Sequence, residues 1–348
     1  MNIMKRIFIM SSERSGSNLL RRILAMHSSI VAPPPPHIWR HLSYQLPYYG
    51  LLSDVDNLKK AAIDAISMTQ VSSSHLLWKH KISVDELMPH IKTPNLSGII
   101  AALYDVYAFR ESAPAWVCKE NNLFDCAFQA RAVLPDAKFI YLCRDGRDVA
   151  CSIKNVPSHD QHIFHIAHEW RNEQQKCILA FQELLAQNAA ILVRYEDLIS
   201  NPAAETQRIC EFVSLPYEPT MIDFHHDQDS KDESLKTTYW KNLGKPIIKH
   251  NSAKFYKELT KREISLFQLV AGDILESLGY PLVNEKKVRS VGLLQKLLFS
   301  VQNRIYKRIQ RMRLKKDAGS VERGKVLKEI KSRQNKIKMP LAPPITYK

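Results

Sequence analysis

No Cys-x-x-Cys pair and no metal-ligand spacing occurs among the six cysteines, Cys118, Cys126, Cys143, Cys151, Cys177 and Cys210, and several sit in apolar runs that read as core. Reduced, buried thiols in a cytoplasmic protein are therefore expected, in place of a disulfide framework or a metal site. His75, His80 and His90 are likewise too scattered to hold a metal. Nothing approaches about 18 uninterrupted apolar residues, which excludes a membrane-spanning helix. The short apolar run before Ser11 is too brief for the core of a signal peptide. Finally, no Gly-Lys-Ser/Thr closes the first loop, which disfavours a magnesium-dependent nucleotide triphosphatase.

What is present begins with size. A chain of 348 residues, 45% of them hydrophobic, buries a full core as one large domain or two modest ones. Its charge is unevenly spread. Residues 286–348 carry 19 Lys and Arg against 3 Asp and Glu, a net of +16, whereas residues 1–285 carry 31 against 32, a net of −1. A nearly neutral body (1–285) followed by a basic tail (286–348) is the expected organisation.

The stretch Arg6 to Leu20 reads as a buried strand, a small-residue turn and a helix start. Ile7 to Met10 form a continuous apolar run, as in a parallel strand covered on both faces. Ser15, Gly16 and Ser17 have little bulk to keep an anion from their amides, and Asn18 or Ser17 can cap the helix begun by Leu19, Leu20, Ile23 and Leu24. Free N–H groups and the positive end of the helix dipole then face the turn, with Arg14 adding a fixed charge. An ordinary capped helix explains this loop equally well, so a second site must decide.

Further along, Pro33 to Pro36 favour a stiff polyproline segment that positions His37. Residues 42–110 read as mainly helical, a region in which a substrate pocket can be built. Short strands are expected at Trp116–Lys119, Lys138–Cys143 and Ala190–Val193, separated by helical patterns such as Ile166 to Leu185. The alternation predicts an α/β, P-loop-like three-layer fold, with a central parallel sheet flanked by helices. Ligands of such sheets bind beyond the carboxyl ends of the strands. Arg14, Lys119, Arg144 and Tyr195 all fall just past those ends. Arg144 and Ser152, eight residues apart, offer a charged fork and a hydroxyl suited to a terminal phosphate, unless Arg144 merely pairs with Asp145 or Asp148.

The two stretches together resemble the sulfotransferases that use 3′-phosphoadenosine 5′-phosphosulfate (PAPS), especially the branch with tyrosylprotein and bacterial carbohydrate sulfotransferases. In that family an Arg/Lys-Ser-Gly-Thr/Ser-Thr loop holds the 5′-phosphosulfate, and an Arg followed eight residues later by Ser holds the 3′-phosphate. Here these are Arg14-Ser15-Gly16-Ser17-Asn18, and Arg144 with Ser152. The match continues through Lys119, the strand ending in Arg-Tyr-Glu-Asp-Leu at Tyr195, the Lys245 to Ile247 stretch before Lys254, and Leu278-Gly279-Tyr280.

The resemblance covers residues 5 to about 282. It implies transfer of a sulfuryl group from PAPS to a hydroxyl or amine, without a metal, with Arg14 and Lys119 acting on the transferred group and Tyr195 and Lys254 contacting the cofactor. Asn18 replaces the usual Thr or Ser, and its amide still donates to a phosphate. A glutamate base usual in relatives with an Arg in the loop would fall in the Pro33 to Pro36 window, so His37 is taken as the substitute proton acceptor, unless it only packs near Trp39 and His80 or another residue serves. Alternatives are a P-loop-type phosphoryl-transfer enzyme and a cofactor-binding but inactive adaptor at a membrane. A glycan or glycolipid is the favoured acceptor, with a lipid head group, a peptide tyrosine or a small alcohol also fitting.

In the tail, Leu294, Leu297, Leu298, Val301, Ile305, Ile309 and Met312 recur every three or four residues among Lys296, Arg304, Lys307, Arg308, Arg311 and Arg313. This is a basic amphipathic helix with three open readings: its stripe docks on the body, it lies on an anionic bilayer, or it binds nucleic acid. Nucleic acid is the least favoured of the three, since no aromatic stacking pattern accompanies the charge. The bilayer reading would make the protein peripheral on the inner membrane face. Residues beyond Lys315 are expected to be loosely ordered.

Overall fold

A computed structural model describes residues 4–71, 77–154, 156, 159–236, 240–283, 290–313 and 318–334. The chain divides into two compact units, Met1–Pro33 with Ser112–Lys316, and Pro34–Glu111 with Asp317–Lys348. The boundary expected at 285 and the candidate His75 lie outside the described residues.

The first unit is built on a five-stranded, all-parallel sheet: β1 Lys5–Met10, β2 Ile30–Val31, β3 Ala115–Lys119, β4 Lys138–Cys143 and β5 Ala190–Arg194, in the order β2-β3-β1-β4-β5. The α/β parallel fold expected from the sequence is therefore present, with β2 as a short edge strand too brief to register as a pattern. β1 is central and buried on both faces, because successive side chains point opposite ways. Ile7 and Ile9 pack with Leu20, Ile23 and Leu24 of helix α1 (Ser17–Ala25). On the other face Phe8 stacks on Phe139 at 5.0 Å and meets the edge of Trp116 at 5.2 Å.

The chain leaves β1 towards β2 on one side of the sheet and reaches β4 and β5 on the other. The loops that follow β1 and β4 therefore part at the switch point, where open parallel sheets leave a crevice.

In the second unit, helix α2 (Val55–Thr69) is capped by Asp54, which accepts from the Asn57 amide at 3.0 Å, and helix α3 (Leu96–Arg110) by Asn95, which accepts from Gly98 at 2.8 Å. Trp78 packs edge-on to Tyr104 and Tyr107 and donates its indole N–H to the Pro34 carbonyl at 2.8 Å, anchoring the proline run. His37, which follows that run, takes a left-handed backbone conformation (φ 59°) at the start of the short helix Ile38–Leu42.

Back in the first unit, helix α4 (Gly146–Ile153) follows β4, and the long helix α5 (Ile163–Ala186) covers β4, with Tyr141 donating to Gln174 at 2.5 Å. Helix α6 (Gln228–Lys236) closes over α1: Arg21 pairs with Glu233, and Arg22 with Asp227 and the Ser230 hydroxyl. Helix α7 (Lys261–Ser277) lies against α5, and helix α8 (Leu293–Arg313) packs on the same helix. The second unit ends in helix α9 (Ala318–Gln334), which corrects the expectation of loose order directly beyond Lys315. That segment is held because Ile330 is buried, Arg323 donates to the Pro36 carbonyl at 3.0 Å, and Arg333 pairs with Asp64. Among the described residues no helix is long and apolar enough to cross a membrane.

Arg21 and Glu233 are each almost fully buried, so removing one partner strands the other charge. Glu233→Ala should lower the urea unfolding free energy by about 3–5 kcal/mol, and the apolar pair Arg21→Met with Glu233→Leu should recover most of it.

Candidate active site at the carboxyl edge of the sheet

The turn after β1 is shaped by backbone more than by side-chain caps. Arg14 and Gly16 both have positive φ, 66° and 94°, and Gly16 is itself the N-cap of α1. This corrects the expected capping by Ser17 or Asn18. Ser17 is the first helical residue, and no side chain accepts from the first turn, so its N–H groups remain directed into the loop. Glycine at 16 is required twice over. A Cβ there would be strained at this φ and would stand 2.4 Å from Cδ2 of Tyr195.

Tyr195, at the end of β5, thus presses its ring on the turn, and the Arg144 guanidinium lies over that ring at 4.3 Å. Arg144 also donates to the Arg14 carbonyl at 3.2 Å and to the Asn251 carbonyl at 3.0 Å. Arg14 in turn donates through Nε to the Ser152 hydroxyl on α4 at 3.0 Å. Asn251 closes the ring by donating to the Tyr195 hydroxyl at 2.5 Å. The structure therefore brings Arg14, Arg144, Ser152 and Tyr195 into one bonded patch. The simpler pairing of Arg144 with a neighbouring carboxylate is weak: Asp148 lies 3.9 Å away, and Asp145 is engaged bidentately by Arg147.

The other expected residues fall in the same unit. Ser15 is fully buried and shares a 2.7 Å hydrogen bond with Ser12. Lys254 is half-buried and precedes Phe255, whose amide donates to Asp148 Oδ1 at 3.0 Å and so ties this segment to α4. Lys119, at the end of β3, is 6% exposed and donates to Asn121 at 2.7 Å. Asn121 donates to Glu13 at 2.7 Å, and the other Glu13 oxygen meets His159 Nε2 at 2.6 Å. His37 alone belongs to the second unit.

Sequence reasoning missed Asn251, Asn121, Glu13 and His159. Glu13 and Asn121 adjoin residues already singled out, and that adjacency was the available signal. Asn251 and His159 reach the site through long connections that carry no pattern.

Among the described residues ten buried side-chain polar atoms have no hydrogen-bond partner, and three of them belong to this patch: Nε of Arg144, Oδ1 of Asn18 and Oδ2 of Asp148, which lies 3.9 Å from Arg144. Buried polar groups are normally satisfied, so a polar ligand is the natural complement. A guanidinium nitrogen, an amide that donates when turned over, hydroxyls and the helix amides suit phosphate or sulfate oxygens. A parallel α/β protein with a candidate anion site where its strand order reverses is the class that this geometry defines.

The sequence model of the sulfotransferase family matches residues 6–219, more than half of the chain, which belongs to that family. Over 114 residues it is 32% identical to carbohydrate sulfotransferase 1 of Danio rerio, a match spanning 31% of this chain and 26% of that protein. Over 120 residues it is 33% identical to a putative protein-tyrosine sulfotransferase of Caenorhabditis briggsae, spanning 31% and 41% respectively. The chain thus matches well under half the length of these relatives. The solved sulfotransferase domain from the curacin biosynthetic pathway shares the fold, with a TM-score of 0.53 at 21% identity, covering 81% of this chain and all of that one.

Burial pushes the Lys119 ammonium down to about 8; Glu13 draws it up, and Arg21 and Arg14 push it further down. A side-chain NMR titration should place its midpoint near that value. Glu13→Gln, by removing the nearby negative charge, should move it lower still, and a wild-type midpoint at the ordinary lysine value would refute the burial argument.

Proposed function

We propose that the protein transfers a sulfuryl group from PAPS to a hydroxyl or amine of an acceptor, with residues 1–285 as the sulfotransferase domain. The observation that carries this reading is the direct bonding of the two anion contacts, Arg144 to the Arg14 carbonyl and Arg14 to Ser152. One bisphosphorylated nucleotide can then engage both. PAPS supplies a sulfuryl group already attached to a good leaving phosphate.

The chain's own contribution is to hold and to neutralise. Arg14, Ser15, Gly16, Ser17 and Asn18 hold the 5′-phosphosulfate, Arg144 and Ser152 the 3′-phosphate, and Tyr195 and Lys254 flank the nucleotide. Transfer between oxygens in line asks mainly for positioning and for positive charge on the oxygens that gain electron density. Arg14 and the amides of α1 supply that charge without a metal, and Lys119 adds a second cation while protonated.

His37 remains the first proposal for the proton acceptor. A second has a specific observation in its favour: His159 is held by Glu13, in the hydrogen-bonded chain that also fixes Lys119. A carboxylate on one ring nitrogen orients an imidazole as a base. The acceptor in this reading is a glycan or glycolipid, lipid head groups and small alcohols being the other candidates. Similarity to a carbohydrate sulfotransferase is in keeping with the glycan, and the equal similarity to protein-tyrosine sulfotransferases keeps a peptide tyrosine among the candidates. Six free cysteines, five of them buried, support a cytoplasmic setting.

An acceptor screen with purified protein and labelled PAPS tests the reaction; magnesium-dependent hydrolysis of ATP or GTP without sulfated product would favour phosphoryl transfer, and cofactor binding with no turnover an adaptor. Arg14→Ala should lower kcat by about 100-fold or more while changing the affinity for adenosine 3′,5′-bisphosphate only slightly. Arg144→Ala should do the opposite, weakening that affinity about tenfold or more.

Of His37→Ala and His159→Ala, the one that removes the base should cost about 100-fold or more in kcat/KM and abolish the acid limb of its pH profile. Because Lys119 titrates near 8, the same profile should fall above that pH as the ammonium is lost, and Lys119→Arg should push this alkaline limb upward.

A further inference from the structure

Helix α8 is docked the wrong way round for a structural helix. The residues it turns to the first unit are mostly polar: Asn303, 8% exposed, accepts from the Gln161 and His162 amides at 2.7 and 3.0 Å and donates to Asp160 at 2.8 Å. Lys307 donates to the same carboxylate at 2.8 Å, Ser300 bonds with His165, and Phe299 stacks on the His162 ring at 4.3 Å. Burial alone would raise the Asp160 carboxyl, yet Lys307 and Asn303 hold it below the usual carboxylate range. The contact is therefore specific.

The aliphatic stripe points away. Leu294, Leu297, Leu298, Val301, Ile305 and Met312 are 51–77% exposed. At about 100° per residue their mean direction lies roughly 180° around the helix from the docked face. A row of large aliphatics costs free energy in water and marks an interaction surface.

Charge says what covers it. Between Lys286 and Lys316 the chain has 11 Lys and Arg and no Asp or Glu. Arg304 and Arg308 are exposed, and at helical spacing Arg304 falls on one border of the stripe and Arg308 just inside it, between Leu297 and Val301. Aliphatics on one face with long basic side chains at the border suit a surface that is apolar below and anionic above, the stems lying along the hydrocarbon and the guanidinium groups reaching phosphates. We infer that α8 is an anchor, held to the body through Asn303, Phe299 and Lys307, that seats the protein on an anionic bilayer surface through the outward stripe. This inference is independent of the reaction proposed above and holds whatever the acceptor.

The test uses the full chain and unilamellar vesicles. Wild-type protein should co-sediment with vesicles of 30% phosphatidylglycerol in phosphatidylcholine and hardly with phosphatidylcholine alone, and high salt should release it. Leu297→Ser with Leu298→Ser should cut the partition about tenfold or more, and each of Arg304→Gln and Arg308→Gln about fivefold. These side chains are exposed, so the urea midpoint should not move. A lowered midpoint in the serine variant would leave the two arginine variants to decide. Equal binding to neutral vesicles, or unchanged partition in all variants, overturns the inference. So does sedimentation showing self-association that the serine variant abolishes, since the stripe would then be a contact between copies.

Discussion

The site depends on one stack of three groups. Gly16 passes beneath the Tyr195 ring with no room for a β-carbon, and the Arg144 guanidinium lies on the ring's vicinity at 4.3 Å while donating to the Arg14 carbonyl. These residues follow β1, β5 and β4 respectively, so a contact worth on the order of 1 kcal/mol as a cation–π pair fixes three strand exits relative to one another. Its importance lies in geometry. With the ring in place, the loop after β1 is held in a conformation that left-handed residues at 14 and 16 make possible. The first turn of α1 is thereby left uncapped by any side chain.

Around that stack the protein buries an unusual amount of charge, and the way each group is compensated separates support from chemistry. Arg21 and Arg22 meet carboxylates of α6, and Arg147 is gripped by Asp145 and Gln268. Glu196 accepts from the Asp145 amide and the Tyr280 hydroxyl, linking the exits of β4 and β5 to the segment that follows α7. These are closed pairs, and they hold the walls. Arg144 and Lys119 differ, since each is buried against carbonyls, an amide and a distant carboxylate in place of a close counter-ion. A buried cation without a tight partner is costly, and it is stabilised most by a ligand that brings negative charge.

Much of this was legible in the sequence because it is local. The apolar run of Ile7–Met10, the strand exits at Arg144 and Tyr195, and the eight-residue interval to Ser152 all survive in the structure. What could not be read is long-range. Asn251 joins Tyr195 and Arg144 across more than fifty intervening residues, and His159 reaches Glu13 across 146 positions in sequence. The cap of α1 was misread for a different reason. Ser and Asn are strong N-cap residues by intrinsic preference, but the turn needs positive φ at position 16, and glycine there takes the cap site and shifts the helix start to Ser17. The helix at 318–334 was missed because its order comes from Pro36 and Asp64, partners far away in sequence.

Helix α8 shows the limit of amphipathic reasoning from another side. Periodicity reports that a helix has two faces, and for most helices in globular proteins the apolar one is inside. That default rests on the hydrophobic effect being the largest available term. Here a single asparagine satisfies the two backbone amides just before α5 and shares the Asp160 carboxylate with Lys307, while Phe299 covers His162. Hydrogen bonds to a charged group contribute about 1.5–3 kcal/mol each, enough to set which way a helix faces when several converge on a few residues. The orientation is decided by the polar groups waiting on the body, and the aliphatic face is what remains for the surroundings.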